Sequence, residues 1–229
     1  MSIIKVIIPA YNEADSIALV IKDIPTHVDE VIVVNNNSTD LTEANAKNAG
    51  ATVLTESRKG YGYACLKGMD YIAKQSKKPD IIVFLDGDYS DYPEELTKIT
   101  TPIIDHNIDF VIGARVKRLR EEGSMTFPQI FGNWLATSLM RMMFRANFSD
   151  LGPFRAIKYD KLLGLNMEDK TYGWTVEMQL KAIKQKLTYK EIAVNYRNRI
   201  GVSKVSGTVK GAIFAGVKIL TWIFKYSLK

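Results

Sequence analysis

Residues 80–93 read Asp-Ile-Ile-Val-Phe-Leu-Asp-Gly-Asp-Tyr-Ser-Asp-Tyr-Pro, so an apolar run ends there on two carboxylates. The apolar part, 81–85, is too short for a helix and rich in β-branched residues, which predicts a strand buried on both faces. Gly87 allows a tight turn that lets Asp86 and Asp88 face one point. Two carboxylates this close repel each other unless a cation lies between them, and oxygen ligands favour Mg²⁺ or Mn²⁺. The alternative is a solvated turn, because Asp and Gly are common turn residues.

Strand-like runs alternate with helical patterns through the first half of the chain, which predicts an α/β fold with a mostly parallel sheet flanked by helices. The expected strands are 3–8, 30–34, 51–54, 81–85 and 110–112. Between them, apolar residues at helical spacing predict helices at 17–24, 41–49, 61–74 and 93–104. Asn12 is the expected cap of the first helix.

Polar residues follow several of these strands, and ligands of open parallel sheets bind beyond the carboxyl ends of the strands. Residues 9–13 read Pro-Ala-Tyr-Asn-Glu, 35–40 read Asn-Asn-Asn-Ser-Thr-Asp, and 58–64 read Arg-Lys-Gly-Tyr-Gly-Tyr-Ala. Each segment by itself also fits a cap, an Asx-rich turn or a helix entry. Their arrival at one sheet edge favours a binding site. The expected members are Pro9, Ala10, Tyr11, Glu13, Asn35, Asn36, Asp40, Lys59, Gly60, Asp86 and Gly87.

Composition narrows the class of protein. The chain has 229 residues, 46% of them apolar, and one cysteine, so a sizeable core is expected and an internal disulfide is not. The sequence enters a strand pattern without a charged leader, which predicts no secretory signal and a cytoplasmic location. Seven of the 31 basic residues and none of the 25 acidic ones fall within 195–229. Because the positive charge is confined to this tail, we expect no nucleic-acid partner but contact with an anionic membrane surface.

The second half of the chain has a different pattern. Helical stretches at 129–144 and 172–186 flank the segment Asp-Leu-Gly-Pro-Phe-Arg at 150–155, and a last strand is expected at 188–196. Trp134 and Trp174 are predicted to be packing residues.

The last stretch, 207–228, carries an apolar face interrupted by lysines. A membrane crossing needs about 20 mostly apolar residues, so this pattern is a poor transmembrane helix and a fair interfacial one. The alternative is a terminal helix packed on the domain or on a second subunit of a homo-oligomer. The apolar face consists of Val209, Ile213, Val217, Leu220 and Phe224.

With these motifs the chain resembles a family 2 glycosyltransferase of the GT-A (Rossmann-like) fold, over nearly its whole length. It is most similar to the dolichol-phosphate mannosyltransferase and polyprenyl-phosphate hexosyltransferase branch. The family's Pro-x-Tyr-Asn-Glu is present at 9–13, its Asp-x-Asp at 86–88 and its Gly-x-Ser-Lys at 201–204. The resemblance implies a GT-A domain at 1–204, with a nucleotide-sugar half at 1–113 and an acceptor half at 114–204. A basic amphipathic helix at 205–229 would follow.

The resemblance also implies roles for single residues. Pro9, Tyr11 and Glu13 would border the nucleotide, while Asp86 and Asp88 would hold the metal that bridges the diphosphate. From a segment folded over the site, Arg199, Ser203 and Lys204 would reach phosphate. Aspartates are common in the family where this chain has Asn35 and Asn36, and one of them contacts the base.

The chemistry of the acceptor decides whether a general base is needed. A lipid phosphate is already anionic at neutral pH, and Arg115 would then hold it. A hydroxyl acceptor requires a base, for which Asp169 and Glu177 are the candidates, although either fits an ordinary structural role. Asp150 is a weaker candidate for contact with the sugar.

Three hypotheses follow. The first is metal-dependent transfer of a hexose from a UDP- or GDP-sugar to a polyprenyl or dolichyl phosphate at the cytoplasmic membrane face. The second keeps the donor site but uses a hydroxyl acceptor and a carboxylate base. The third is a non-catalytic membrane-surface adaptor on a transferase scaffold, against which the intact Asp86 and Asp88 argue.

Overall fold

A computed structural model describes residues 2–201 and 209–227. Within these ranges the chain forms a seven-stranded sheet in the order β3-β2-β1-β4-β6-β5-β7. The strands are β1 (Ile4–Ala10), β2 (Glu30–Asn35), β3 (Thr52–Thr55), β4 (Ile81–Phe84), β5 (Phe110–Ala114), β6 (Arg155–Lys158) and β7 (Tyr189–Ala193). Only β6 runs antiparallel to its neighbours in this described sheet, so the prediction of a mostly parallel α/β fold is confirmed.

The five strands expected in the first half are confirmed to within two residues at each end. Their side chains alternate between two apolar clusters on opposite faces of the sheet: Ile7 and Phe84 belong to one, Ile8 and Val83 to the other. Because β4 is buried on both faces, its sequence is continuously apolar rather than alternating.

Strand β6 is missing from the expectations because it begins on a charged residue. Arg155 is fully buried in the sheet, with its guanidinium donating hydrogen bonds to the carbonyl oxygens of Leu151, Gly152 and Thr175. Burial lowers the pKa of this arginine to about 10. An arginine whose partners are backbone carbonyls of other segments gives no strand pattern in the sequence.

Helices cover both faces of the sheet. They are α1 (Ile17–Asp23), α2 (Thr42–Asn48), α3 (Tyr61–Lys74), α4 (Leu96–His106), α5 (Phe127–Phe144), α6 (Tyr159–Leu165), α7 (Trp174–Lys184) and α8 (Val209–Ser227). All of these were expected except α6. The bounds of α3 agree with the prediction, and a 3₁₀ turn at Pro93–Glu95 precedes α4.

The prediction that Asn12 caps α1 is wrong. The residue before α1 is Ser16, while Asn12 has a left-handed backbone with φ of 54°. The Asn12 side chain instead accepts a hydrogen bond from the backbone N–H of Thr39, at 2.8 Å. It therefore joins the end of β1 to the loop after β2.

Helix α8 packs on the domain through one face. Trp222 and Ile223 are buried in the apolar cluster that also contains residues of α3, α5 and α7. Ile213, Phe214 and Val217 remain more than half exposed. No helix in 2–201 or 209–227 is long and apolar enough to cross a membrane.

Candidate active site

A cleft of about 460 Å³ lies beyond the carboxyl ends of β1 and β4. The expected site residues that line it are Pro9, Ala10, Tyr11, Glu13, Asn36, Lys59, Gly60, Asp86, Gly87, Asp88, Arg115 and Arg199. Those outside the lining are Asn35, Asp40, Asp150, Asp169 and Glu177. Ser203 and Lys204 fall outside the described residues, so their roles stay predictions.

Asp86 and Asp88 differ in how their carboxylates are held. Oδ1 of Asp88 accepts hydrogen bonds from the backbone N–H and the hydroxyl of Ser90, at 2.9 and 2.5 Å. Oδ1 of Asp86 is buried and has no hydrogen-bond partner within the described residues. Burial, and then the charge of Asp88, raises the pKa of Asp86 to about 7. A buried oxygen without a partner beside a second carboxylate fits a divalent cation.

A metal at this point would draw most of its remaining ligands from water and substrate rather than from the protein. In 2–201 and 209–227 no group of three or more His, Cys, Asp or Glu side chains is arranged to hold a metal ion. Mg²⁺ commonly binds through one or two carboxylates, with waters and substrate phosphates completing its shell. The pair of Asp86 and Asp88 is suited to this mode of binding.

Arg199 lies between Asp88 and Glu13. Its Nη2 is 3.0 Å from Oδ2 of Asp88 and 3.4 Å from Oε1 of Glu13. Backbone bonds fix the segment there, since the N–H of Ile200 donates to the carbonyl of Asp88 and that of Arg197 to Ser90. The structure thus brings Glu13 of the first motif, Asp88 and the segment 197–200 to one place.

Arg115 lines the cleft but is bound to Asp150. The guanidinium donates from Nε and Nη2 to the two oxygens of Asp150, at 2.8 and 2.7 Å, and the backbone N–H of Arg115 adds a third bond. Although burial opposes ionisation of the carboxyl, the charge and hydrogen bonds of Arg115 lower the pKa of Asp150. Asp150 is thus an ion-pair partner of Arg115 rather than a residue facing the sugar.

Asp169 and Glu177 hold a loop instead of facing the cleft. Glu177 is fully buried and accepts the backbone N–H groups of Glu168 and Asp169, at 2.8 and 2.7 Å, and it pairs with Lys181. A residue with all these bonds and no exposure cannot abstract a proton from a substrate without breaking them. The expectation that it serves as a base is therefore wrong in this geometry.

Asp169 has the same kind of role. It accepts the N–H groups of Thr171 and Gly173 on one oxygen, and on the other it accepts the indole N–H of Trp222, at 2.6 Å, beside the ammonium of Lys218 at 3.1 Å. The loop it holds contributes Thr171 to the cleft. Asp169 thereby links the wall of the cleft to α8.

This joint is tightly packed. A Cβ at Gly62 would lie 2.0 Å from the carbonyl oxygen of Asp169, and one at Gly173 would lie 2.4 Å from the ring of Trp222. Both glycines are therefore required by close approach rather than by backbone conformation. The first turn of α3, the loop at 169–173 and α8 form one packed unit beside the cleft.

The two asparagines after β2 fix neighbouring loops. Asn36 donates both amide hydrogens to backbone carbonyls, of Glu56 at 3.1 Å and Arg58 at 2.7 Å, and accepts the N–H of Gly60 at 2.8 Å. Asn35 donates to Glu43 and accepts from the N–H of Ser38. An aspartate could not replace Asn36 in these bonds, because it has no hydrogen to donate to a carbonyl.

Asp40 also has a structural role. Its carboxylate accepts the N–H groups of Ala14 and Thr42 and the hydroxyl of Thr42. Despite an opposing contribution from burial, these hydrogen bonds lower its pKa. It joins the loop after β2 to the segment that follows Glu13, and so helps to position a lining residue without lining the cleft itself.

Tyr11 and Lys59 face each other at the cleft. The Lys59 ammonium lies 5.4 Å from the centroid of the Tyr11 ring, within the range of a cation–π contact. Both lie beside Asn36 in the lining. An aromatic face with an adjacent cation is suited to a nucleotide.

Several lining residues lie outside the sequence expectations. They are Tyr61, Gln129, Leu151, Pro153, Thr171, Tyr172, Trp174, Thr175, Tyr196 and Ala215. Tyr196 could have been found by the rule on strand ends, since it follows β7, which runs parallel to β5. Trp174 is a buried packing residue as predicted, with an edge-to-face contact to Phe84, and it also lines the cleft.

Asp91 is a buried carboxyl group that the sequence reasoning left aside. Neither of its oxygens has a hydrogen-bond partner in the part of the chain that the structure describes. Burial, followed by the charges of Asp86 and Asp88, raises its pKa well above the usual range. Burial and the neighbouring charges thus both disfavour a third negative charge beside the acidic pair.

Comparison with known proteins decides the family. A family model described as glycosyl transferase family 2 matches residues 5–163. The chain belongs to this family. An uncharacterized glycosyltransferase of Mycobacterium tuberculosis strain H37Rv is 31% identical to it over 93% of this chain and 94% of the relative. The polyprenol monophosphomannose synthase of Mycolicibacterium smegmatis is 25% identical over 95% of this chain and 85% of that protein.

Solved structures confirm the fold of this family 2 glycosyltransferase. Glucosyl-3-phosphoglycerate synthase of Mycobacterium tuberculosis, crystallised with Mn²⁺, UDP and phosphoglyceric acid, matches with a TM-score of 0.79 at 21% identity. The match covers 99% of this chain and 78% of that one. The GT-A fold expected from the sequence is therefore confirmed.

Proposed function

We propose that this enzyme transfers a hexose from a UDP- or GDP-sugar to a polyprenyl phosphate, with Mg²⁺ or Mn²⁺ at Asp86 and Asp88. The main support is the distribution of carboxylates around the cleft. In the described lining they are Glu13, Asp86 and Asp88, all from the first half of the chain. To the same described lining, the acceptor half contributes Arg115 and Arg199 and no carboxylate, which suits an acceptor that is already anionic.

The proposed reaction needs no general base. A phosphate monoester is mostly ionised at neutral pH, with a second pKa of about 6. One of its oxygens forms the bond to the anomeric carbon while the bond from that carbon to the diphosphate breaks, and the diphosphate leaves with the electron pair. A divalent ion, when bound, supplies positive charge that stabilises the leaving diphosphate. Arg199, 3.0 Å from Asp88, is placed to pair with the same developing charge.

Relatives support this choice of acceptor. The name of the polyprenol monophosphomannose synthase states a polyprenol phosphate product. A second relative, of Methanococcus voltae, is named UDP-N-acetylglucosamine–dolichyl-phosphate N-acetylglucosaminyltransferase. The hydroxyl-acceptor alternative is weakened because Asp169 and Glu177 are absent from the cleft lining.

We further propose that the enzyme works as a peripheral protein at the cytoplasmic face of a membrane. Helix α8 supports this because one face packs on the domain while Ile213, Phe214, Val217 and Phe224 are exposed. A packed face and an exposed apolar face together suit a helix that lies on a bilayer.

A transfer assay tests the function. UDP- and GDP-sugars are screened with Mg²⁺ or Mn²⁺ against a short-chain polyprenyl phosphate, with hydroxyl acceptors in parallel. Asp88→Ala should reduce transfer about 1,000-fold, because it removes a proposed ligand of the metal ion that would stabilise the negative charge developing in the transition state. Asp160→Ala, at a carboxylate whose side chain is 70% exposed, should leave transfer unchanged.

Each other outcome selects a different function. Turnover only with hydroxyl acceptors would support the second hypothesis. Absence of donor turnover with every metal and acceptor would support the non-catalytic adaptor. Equal activity of Asp88→Ala and the native enzyme would contradict the assigned metal site.

A further inference from the structure

The first half of α5 exposes a row of aromatic side chains, which we call the aromatic ladder: Phe127, Phe131 and Trp134. Their exposed fractions are 78%, 49% and 60%. Neighbouring ring centroids are 6.4 and 5.8 Å apart, so the three rings form one continuous apolar strip. The prediction that Trp134 is a packing residue is wrong. Large apolar side chains exposed in a group, rather than singly, indicate an interaction surface.

Helix α8 carries further exposed apolar side chains. Helices α5 and α8 pack against each other, and the exposed residues Ile213, Phe214 and Val217 of α8 add a second apolar row. Both helices also contribute to the cleft, α5 through Gln129 and α8 through Ala215. The apolar surface therefore borders the cleft in which the acceptor would bind.

The charges around this surface favour an anionic lipid over a second copy of the chain. By sequence, α5 and α8 contain Arg141 and three lysines, and no Asp or Glu. Two of these lysines are paired with residues before α7, Lys218 with Asp169 and Lys225 with Glu168. Neither helix carries a carboxylate that would repel lipid phosphate. With Lys218 and Lys225 paired, the exposed Arg141 is a cation that would meet a lipid phosphate, whereas a second copy of the two helices would offer it no carboxylate.

We propose that the aromatic ladder and the exposed row of α8 together form the membrane-docking surface of the enzyme, and that the polyprenyl acceptor reaches the cleft between these two helices. The inference rests on the proposed function for the identity of the acceptor. Aromatic rings favour the headgroup level of a bilayer, where an apolar body and a polar edge are both accommodated. A polyprenyl chain is insoluble in water, so the cleft must open toward the membrane that holds it.

Vesicle binding tests the surface separately from catalysis. The full chain is mixed with vesicles of phosphatidylcholine and phosphatidylglycerol, and the bound fraction is measured by flotation. The double variant Phe131→Ser/Trp134→Ser should bind about tenfold less, because two large apolar side chains are lost. The matched control is Leu41→Ser/Ile104→Ser, whose native side chains are 67% and 49% exposed away from α5 and α8. It should bind as the native protein does.

The native tryptophans give a second readout that needs no folding control. Trp134 is exposed, whereas Trp174 and Trp222 are 1% and 6% exposed. Lipids brominated near the headgroup should therefore quench Trp134, and Trp134→Phe should abolish this quenching. Vesicle binding without quenching would mean that α8 binds alone, and it would overturn the role of the ladder.

The remaining outcomes are also distinct. The double variant should transfer to a soluble short-chain acceptor at the native rate, since neither side chain lines the cleft. If the double variant loses vesicle binding but the native protein transfers sugar to no lipid phosphate, the proposed function is refuted and the docking surface is retained. Equal vesicle binding by the native protein and the double variant would refute the surface. If sedimentation also showed a dimer that the double variant abolishes, the partner would be a second copy.

Discussion

The proposed donor half (1–113) and the proposed acceptor half (114–204) of this enzyme differ in how some of their carboxylates are held. In the donor half, three carboxylates accept a hydrogen bond from a residue two positions later: Asp40 from Thr42, Glu56 from Arg58 and Asp88 from Ser90. Asp88 also pairs with the distant Arg199. In the acceptor half, buried carboxylates depend on distant partners: Asp150 bonds to Arg115, 35 residues away, and Asp169 bonds to Trp222, 53 residues away, in addition to its local bonds within 169–173.

This difference has consequences for stability. A local bond fixes a turn and is largely independent of the rest of the fold. A distant bond between buried groups forms only when two parts of the chain have packed together. We therefore expect substitutions at the acceptor-half joints to cost more than substitutions at the donor-half turns.

The largest effect on stability is expected at the buried ion pair. Arg115→Ala leaves the carboxylate of Asp150 buried without its partner, which should lower the free energy of unfolding by about 3–5 kcal/mol. Urea unfolding measures this, with Arg141→Ala as the control at an exposed arginine of α5. The combined change Arg115→Met with Asp150→Leu should recover most of the loss. A loss below about 1 kcal/mol for Arg115→Ala would contradict the difference between the halves.

A smaller effect is expected at the joint between α8 and the cleft. Trp222→Phe keeps a ring but removes the indole N–H that Asp169 accepts, which should cost about 1–3 kcal/mol. Because Asp169 holds the acceptor-half loop containing Thr171, the KM for a soluble short-chain acceptor should also rise, while exposed Phe224→Leu should change neither quantity. An unchanged KM would show that α8 anchors the fold without affecting the cleft.

In the donor half, Asn36→Asp tests whether the amide is needed for loop geometry. The carboxylate would face the carbonyl oxygens of Glu56 and Arg58, so the loop carrying Lys59 should shift. We expect the KM for the nucleotide sugar to rise about tenfold, the equivalent of about 1.4 kcal/mol. Asn37→Asp makes the same chemical change at an exposed neighbour and is the matched control. If the KM of Asn36→Asp equals that of the native enzyme, the amide of Asn36 is not needed to position the loop that carries Lys59.

The smallest effect is expected from a local pair and depends on pH. Hydrogen bonds from Arg58 are the main reason why the pKa of Glu56 is lowered to about 2, even though burial opposes the shift. Because the folded pKa lies below the unfolded one, the pair stabilises the fold at neutral pH and stops doing so as pH falls toward 2. The side chain of Arg58 is 64% exposed, so water screens the pair and we expect only a small loss of stability.

Unfolding measured against pH checks this prediction. Glu56→Gln should be less stable than the native enzyme at pH 7, and the difference should shrink as pH falls below the unfolded pKa of about 4.3. A difference that stays constant with pH would mean that the pair contributes through packing rather than charge.

Features that depend on local patterns were predictable from the sequence, and features that depend on distant partners were not. The first five strands, α3 and the meeting of the segments at 9–13 and 86–88 were predictable, because strand periodicity and the rule on strand ends involve local patterns. Strand β6 was not, since Arg155 reaches its carbonyl partners only in the folded sheet. The two expected bases, Asp169 and Glu177, were misassigned for the same reason.

The sequence by itself therefore determined the α/β architecture, the family and the residues that line the cleft beyond β1 and β4. Only the tertiary structure decided the roles of Asp150, Asp169 and Glu177, and the exposure of Trp134 on α5. A carboxylate in a sequence has the same appearance whether it faces a substrate or accepts buried N–H groups. The partners that distinguish the two cases come from distant parts of the chain, and folding alone brings them together.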